Sequence, residues 1–375
     1  MKRVVLLGIV WMMSAAVTAA QTPSAASAVL ESREPLTVSA KAVTFDSGEP
    51  ALMFFQQTPR TAPQPRPPAP AYRRRPSFVG YLDESTIASK VRVRYDLAYE
   101  NPTPDRAEFF YAKCGCYKDL DPVLNADIFD PDAPGPRPGT ANDINFRELL
   151  FLGEYATSDR MSVFAELPIR TVSPEGFIGG GTGFDDATGI GDIRAGVKFG
   201  LAGDDMYDFI GQVKAFLPPG DAEDGLGTDH FSLEPAVLYG RQLSERANIE
   251  TQVGFWIPFG GAAPQRVAQD GHFSSSVFFY GIGPSFDAVR TDKLRLSPVV
   301  ELVGWSVLGG DASIDNGAGG LDFDEGEDGA NIINLKFGAR IAWNDRGSFY
   351  IGYGKALTDK KWYDDILRFE YRHGF

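Results

Sequence analysis

The chain has 375 residues, with 36 Lys and Arg against 50 Asp and Glu, and its formal net charge of -14 at pH 7 becomes -16 without Lys2 and Arg3. That balance offers no basic face for phosphate and argues against a nucleic-acid partner. Cys114 and Cys116 are the 2 cysteines, too few for a disulfide scaffold, and beyond the N-terminus no apolar run approaches the ~18 residues of a membrane helix, so any bilayer crossing must use strands.

The first stretch, MKRVVLLGIVWMMSAAVTAA, places Lys2 and Arg3 before an apolar run over 4–13 and small residues at Ala19 and Ala20, which predicts a secretory signal peptide over 1–20. Residues 21–84 follow no period. Within them QPRPPAPAYRRRPS (64–77) mixes prolines with arginines, a composition that buries too little apolar surface to fold alone. The expectation is a Pro/Arg-rich flexible segment on the periplasmic side. A lumenal plug is the alternative, since ALMFF (51–55) is a small apolar patch that could dock.

From Ser85 onward the pattern changes. KVRVRYDLAYE (90–100) sets Val91, Val93, Tyr95, Leu97 and Tyr99 on one face and Arg92, Arg94, Asp96 and Glu100 on the other, the period of a strand. GDIRAGVKFGL (191–201) and NIINLKFGARIAW (331–343) repeat it. Counting such stretches gives twelve predicted strands, at 90–100, 143–155, 161–172, 189–201, 207–218, 230–240, 248–259, 274–288, 294–308, 331–343, 349–357 and 363–375. The second, FRELLFLGEY, is apolar on both phases and its facing stays open. The connections alternate between short turns such as ATSDR, AGDDM, RTDK and NDRGS and longer loops rich in Gly, Asp and Pro, as in outer-membrane barrels.

Alternation alone does not say which face is buried. A closed ring of eight strands is just filled by its own side chains, so twelve with an apolar interior would enclose a void. Apolar residues outside and charges inside remove that difficulty; a twelve-stranded soluble sandwich is the competing arrangement. The fold expected over 85–375 is therefore all-β, a transmembrane antiparallel up-and-down β-barrel in the bacterial outer membrane, its partners outer-membrane lipid and a small-molecule solute.

The lumen-facing candidates begin with Arg92, Arg94, Asp96, Glu166 and Arg170. Asp192, Arg194, Lys198, Lys214, Glu234 and Glu250 continue the set, and Glu301, Lys336, Arg340, Arg368, Glu370 and Arg372 complete it. Two readings are open for them: cross-strand pairs that brace the wall, at ~0.2–1 kcal/mol each, or a polar channel that selects a solute. On the closing strand, Leu367, Phe369, Tyr371 and Phe375 face lipid. They resemble the C-terminal signature by which the barrel assembly machinery recognises its clients, with His373 departing from the usual apolar third-from-last position. Tyr239, Phe255, Phe259, Tyr280, Trp343 and Tyr353 fit the aromatic girdles at lipid headgroups.

Other features carry less chemistry. Cys114 and Cys116 in KCGCYK form either a local disulfide or two loop thiols, and two sulfurs do not make a structural zinc site. The acidic loop LDFDEGEDG (321–329) departs from calcium-hand order because Gly326 stands where a ligand belongs. His230 with Ser232, and His272 with Ser274, could pair a base with a nucleophile. Outer-membrane phospholipases are twelve-stranded barrels with a His-x-Ser arrangement, but no asparagine follows either site here. The expectation is no enzyme, no cofactor and no metal.

ELPIRT (166–171), GIGDIRAGVKFGL (189–201), GFWIPFG (254–260) and the aromatic closing strand together resemble the outer-membrane transporters of the type associated with the meta-pathway of phenol degradation. The resemblance spans roughly 85–375. It implies passage of small molecules, aromatic ones among them. The expected function is an outer-membrane channel or transporter; a closed structural envelope barrel is the second reading and a lipid hydrolase the third.

Overall fold

Alternating side chains leave each strand with one face for hydrocarbon and one for charge, and both demands are met at once only when the sheet closes on itself. The computed structural model shows that closure. It describes residues 77–102, 141–177, 183–259, 276–309, 329–344 and 346–375, short pieces between 121 and 139, and the backbone of 312–315 and 321–324. The chain divides into two compact units, of which the second, Pro68–Phe375, holds all of these residues.

Fourteen strand segments join in one sheet, and two of them, Ala187–Ile190 and Val289–Arg290, are short extensions. The other twelve are β1 (Lys90–Asn101), β2 (Ala141–Ser158), β3 (Met161–Phe177), β4 (Ile193–Gly203), β5 (Tyr207–Leu217), β6 (Phe231–Gln242), β7 (Ala247–Phe259), β8 (Val277–Phe286), β9 (Leu294–Val307), β10 (Asn331–Trp343), β11 (Gly347–Ala356) and β12 (Asp365–Gly374). Each pairs antiparallel with its sequence neighbour, and β12 returns to β1. The expected strands match these within a few residues, except that β2 and β3 run longer. A separate two-stranded hairpin joins Ala312–Asp315 to Leu321–Asp324. No helix among the described residues is long and apolar enough to cross a membrane.

The closing seam shows how register sorts the faces. Asp96 lies opposite Arg368 and Arg94 opposite Glu370, alternating with Tyr95 opposite Phe369 and Leu97 opposite Leu367. A slip of one residue would turn the charges to lipid. At one rim the turns are short and closed by their own side chains. Asp204 Oδ1 accepts from the Met206 and Tyr207 amides, Ser244 Oγ from Arg246 and Ala247, and Thr291 Oγ1 from Lys293 and Leu294. Such residues favour tight turns because the side-chain oxygen replaces a missing backbone acceptor.

The outer surface is apolar. Val253, Val300, Phe337 and Ile351 are all exposed there. Rings gather near the ends: Tyr207 with Tyr239 and Trp343 with Tyr371 at the short-turn rim, Phe231 with Phe259 and Phe255 with Phe278 at the other. The undecided facing of β2 is settled, with Glu148, Leu150, Leu152 and Glu154 buried inward and Phe151 and Tyr155 outward. An apolar outer band around a charged interior is the outer-membrane type of barrel, and the bacterial outer membrane is where it resides.

Candidate functional site

The lumen is occupied by the chain itself. Before β1, residues 77–89 enter from the short-turn rim, reach an apex near Tyr81 and return to Lys90. Two wall carboxylates hold this plug. Glu250 of β7 accepts from Ser77 Oγ and the Phe78 amide on the ingoing leg, and from Ser85 Oγ on the returning one. Glu301 of β9, with no exposure to solvent, accepts from the amides of Gly80, Tyr81 and Leu82 at 3.1, 2.9 and 2.9 Å, and from Tyr350 Oη at 3.1 Å. Successive N–H groups turned to one anion form a nest. Hydrogen bonds to a charged group each contribute ~1.5–3 kcal/mol, so Glu250 and Glu301 are both strong clasps.

Arginines hold the plug's carbonyls from other strands. Val79 O accepts from Arg340 and Arg372, both at 2.7 Å, and Gly80 O from Arg368 Nη1 at 2.6 Å. The plug's own carboxylates sit among cations. Burial alone would raise the pKa of Asp83, but Lys214 at 3.1 Å, then Lys198 and a hydrogen bond from Gln212, overcome it and hold the group below its usual value. Glu84 is likewise opposed by burial and held well below its ordinary range by Arg372, Lys90, Lys198 and Arg92. Gly80 is required by space: a Cβ there would lie 2.1 Å from the Tyr350 ring.

Around the plug the wall charges pair with one another. Glu148 meets Arg170 at 2.6 Å, Arg94 at 3.3 Å and Arg194 at 3.4 Å. Glu166 meets Arg92 at 2.8 Å, Asp96 meets Arg368 at 2.7 Å, Glu370 meets Arg340 at 2.7 Å, and Glu234 meets Lys214 at 2.8 Å. Lys336 donates to Tyr363 Oη at 2.8 Å and stands over the rings of Tyr81, Tyr363 and Trp305.

Among the described residues there are a large and a small space beside the plug. The larger, about 990 Å³, is a vestibule at the short-turn rim lined by Ser77, Lys90, Asp287, Arg295, Arg346 and Arg372 among others. The smaller, about 10 Å³, lies between Asp83, Leu152, Glu166 and Lys198. Toward the long loops the lumen is apolar: Ile144, Phe146, Phe216, Trp256, Ile332 and Ile366 point inward and pack with the loop residues Leu226, Trp362 and Tyr363. Among the described residues this cluster caps the lumen.

Every one of the seventeen lumen candidates is buried or half-buried on the inner side. They divide by partner. Glu250, Glu301, Lys198, Lys214, Arg340, Arg368 and Arg372 touch the plug, whereas Arg94, Glu166, Arg170 and Arg194 form wall pairs. Asp192 braces a loop, accepting from Thr228 N and Oγ1 and from Gly220 N. Sequence reasoning missed Lys90, Glu148, Glu154, Gln252 and Tyr350, all inside the lumen.

The segment expected as a flexible periplasmic leader over 21–84 needs one correction. Its described part, from Ser77 to Glu84, is seated in the lumen, because its backbone polar groups find partners on the wall that its own composition cannot supply. Residues 1–76, with the expected signal peptide and the ALMFF patch, lie outside the described residues. So do Cys114, Cys116 and His272. The backbone of the acidic loop pairs over Leu321–Asp324, and the side chains of that stretch and all of 325–328 lie outside as well. His230 is buried, with Nδ1 2.7 Å from the Thr228 carbonyl and its ring against Trp256. Leu367, Phe369 and Tyr371 face outward, and Phe375 is exposed.

No protein-family model matches the sequence, and no curated protein matches it. Solved structures with a similar path include an outer membrane channel from Pseudomonas putida F1, 15% identical over 77% of this chain and 96% of that one, at a TM-score of 0.48. LpxR from Salmonella typhimurium is 11% identical over 76% and 100%, at 0.38, and the KdgM porin 6% identical over 76% and 99%, at 0.35. At these values the likeness does not extend to function.

Proposed function

We propose that this barrel is an outer-membrane channel for small solutes, closed by residues 77–89 and opened when that segment leaves. The observation that supports it is how the plug is held. Phe78, Val79 and Leu82 pack against Val299, Val303 and Tyr350, and beside that packing its contacts to Glu250, Glu301, Arg340, Arg368 and Arg372 are hydrogen bonds and ion pairs, which water takes over when the segment leaves. Withdrawal clears a polar passage with both signs of charge on its wall as far as the apolar cap, whose loop residues Leu226, Trp362 and Tyr363 must also part for a solute to cross, and the charges select what enters. The aromatic slot around Tyr81 and the resemblance to phenol-pathway transporters favour small aromatic solutes. No covalent step is needed. The outward aromatics of β12 are read as the mark recognised by the barrel assembly machinery.

A closed structural envelope barrel is the second reading, favoured by the apolar cap and the paired wall charges. Planar-bilayer recording separates the two. The full-length protein with residues 77–86 replaced by Gly and Ser is expected to give a steady conductance that changes further with Arg340→Glu. Folded barrels of this variant that stay silent overturn the channel and favour the envelope role.

A further inference from the structure

The chemistry that seats the plug describes a ligand. Glu301 on β9 gathers three consecutive amide N–H groups, while Arg340 on β10 and Arg368 and Arg372 on β12 gather the carbonyls of Val79 and Gly80. Acceptor and donors stand close together on the wall, for β9 and β10 pair directly and β12 lies two strands beyond β10. Between them the Tyr81 ring lies 4.2 Å from the Arg368 guanidinium and 4.1 Å from Lys336 Nζ, with the Tyr350 ring edge-on at 6.1 Å. Cations over a ring face attract it through its quadrupole.

These three elements select together. A phenol alone fills the ring slot and leaves the carboxylate and the arginines without amides, groups that are costly to leave bare in a buried site. A small carboxylate suits the arginines but is repelled by Glu301 and Glu250. A glycine-only peptide satisfies both polar rows and leaves the slot empty. A short peptide backbone that can bend as residues 80–82 do, carrying one aromatic side chain, satisfies all three.

We infer that the lumen, once cleared of residues 77–89, binds short peptides bearing an aromatic side chain in the place the plug vacates. This rests on the channel reading and names its substrate class. The plug is then a tethered occupant of the channel's own solute site, and plug and peptide exclude each other.

The test uses the full-length chain with residues 77–86 replaced by Gly and Ser, purified in detergent, its folding checked by heat-modifiable gel migration. Calorimetry is run with the tripeptide Gly-Tyr-Leu, with triglycine and with phenol. Gly-Tyr-Leu is expected to bind at least tenfold more tightly than either, and Glu301→Ala in the same chain to abolish that preference. Equal affinity for the three probes, no binding of Gly-Tyr-Leu, or a preference that survives Glu301→Ala overturns the inference. Should the replaced chain not fold, full-length Tyr81→Ala with Glu84→Gln keeps the plug's length, removes its ring and one charge, and is read in the same way. Conductance is recorded separately. Binding without current refutes the channel and leaves the peptide site; current without peptide preference does the reverse.

Discussion

Replacing Glu301 by Ala should open the barrel. The carboxylate accepts three plug amides and the Tyr350 hydroxyl. Three bonds to a charged acceptor at ~1.5–3 kcal/mol each give a gross loss of roughly 4.5–9 kcal/mol. Water entering the vacated space restores part of this, and a net loss of about 3 kcal/mol raises the open-to-closed ratio on the order of 100-fold. Tyr350→Phe removes one bond to the same carboxylate without touching the plug, and at about 1 kcal/mol should shift the ratio roughly fivefold. Single-channel recording of the full-length variants measures both open probabilities. A folded Glu301→Ala barrel with the open probability of the native protein would show that Glu301 does not hold the gate.

Gly80→Ala should act in the same direction by another route, because its Cβ would lie 2.1 Å from the Tyr350 ring and the apex cannot seat; the Gly80→Ala, Tyr350→Ala double variant should recover closure in the same recordings. Glu148→Ala leaves Arg94, Arg170 and Arg194 around an empty centre and should destabilise the barrel by ~3–5 kcal/mol, read as a lower temperature of gel-mobility shift. Acid should release the plug. The carboxyls of Asp83 and Glu84 are held below their ordinary values of 3.8 and 4.5, so their stabilisation is complete above that range and is lost as pH falls through the depressed values. Conductance should be level from about pH 5 to 8 and rise below pH 4; Asp83→Asn with Glu84→Gln should remove that rise.

The wall was legible in the sequence, whereas the plug entered only as an alternative pinned to residues 51–55 rather than to 77–89, for one physical reason. A strand in a barrel repeats its environment every second residue, so Val91 to Tyr99 or Ile333 to Trp343 announce both period and facing without knowledge of any neighbour. The plug has no period. Ser77 to Glu84 are placed by Glu250, Glu301 and Arg340, more than 160 residues away, and the adjoining Pro/Arg run disguises them as leader. The same cause hid Glu148 and Glu154: Leu150 and Leu152 share their inward face, because the lumen is partly apolar, and this broke the alternation that marked other strands. The inward Phe216, Trp256 and Ile366 likewise follow from the cap, which no single strand encodes.

The plug joins β1 at Lys90 with only four residues between Ser85 and the wall. A tether that short keeps the segment at a local level equivalent to millimolar. Any soluble competitor therefore faces a rival that never diffuses away, and at micromolar supply the gate scarcely notices it. At neutral pH what unseats the segment is abundant solute or traction on the chain at the short-turn rim, where Ser77 opens into the vestibule.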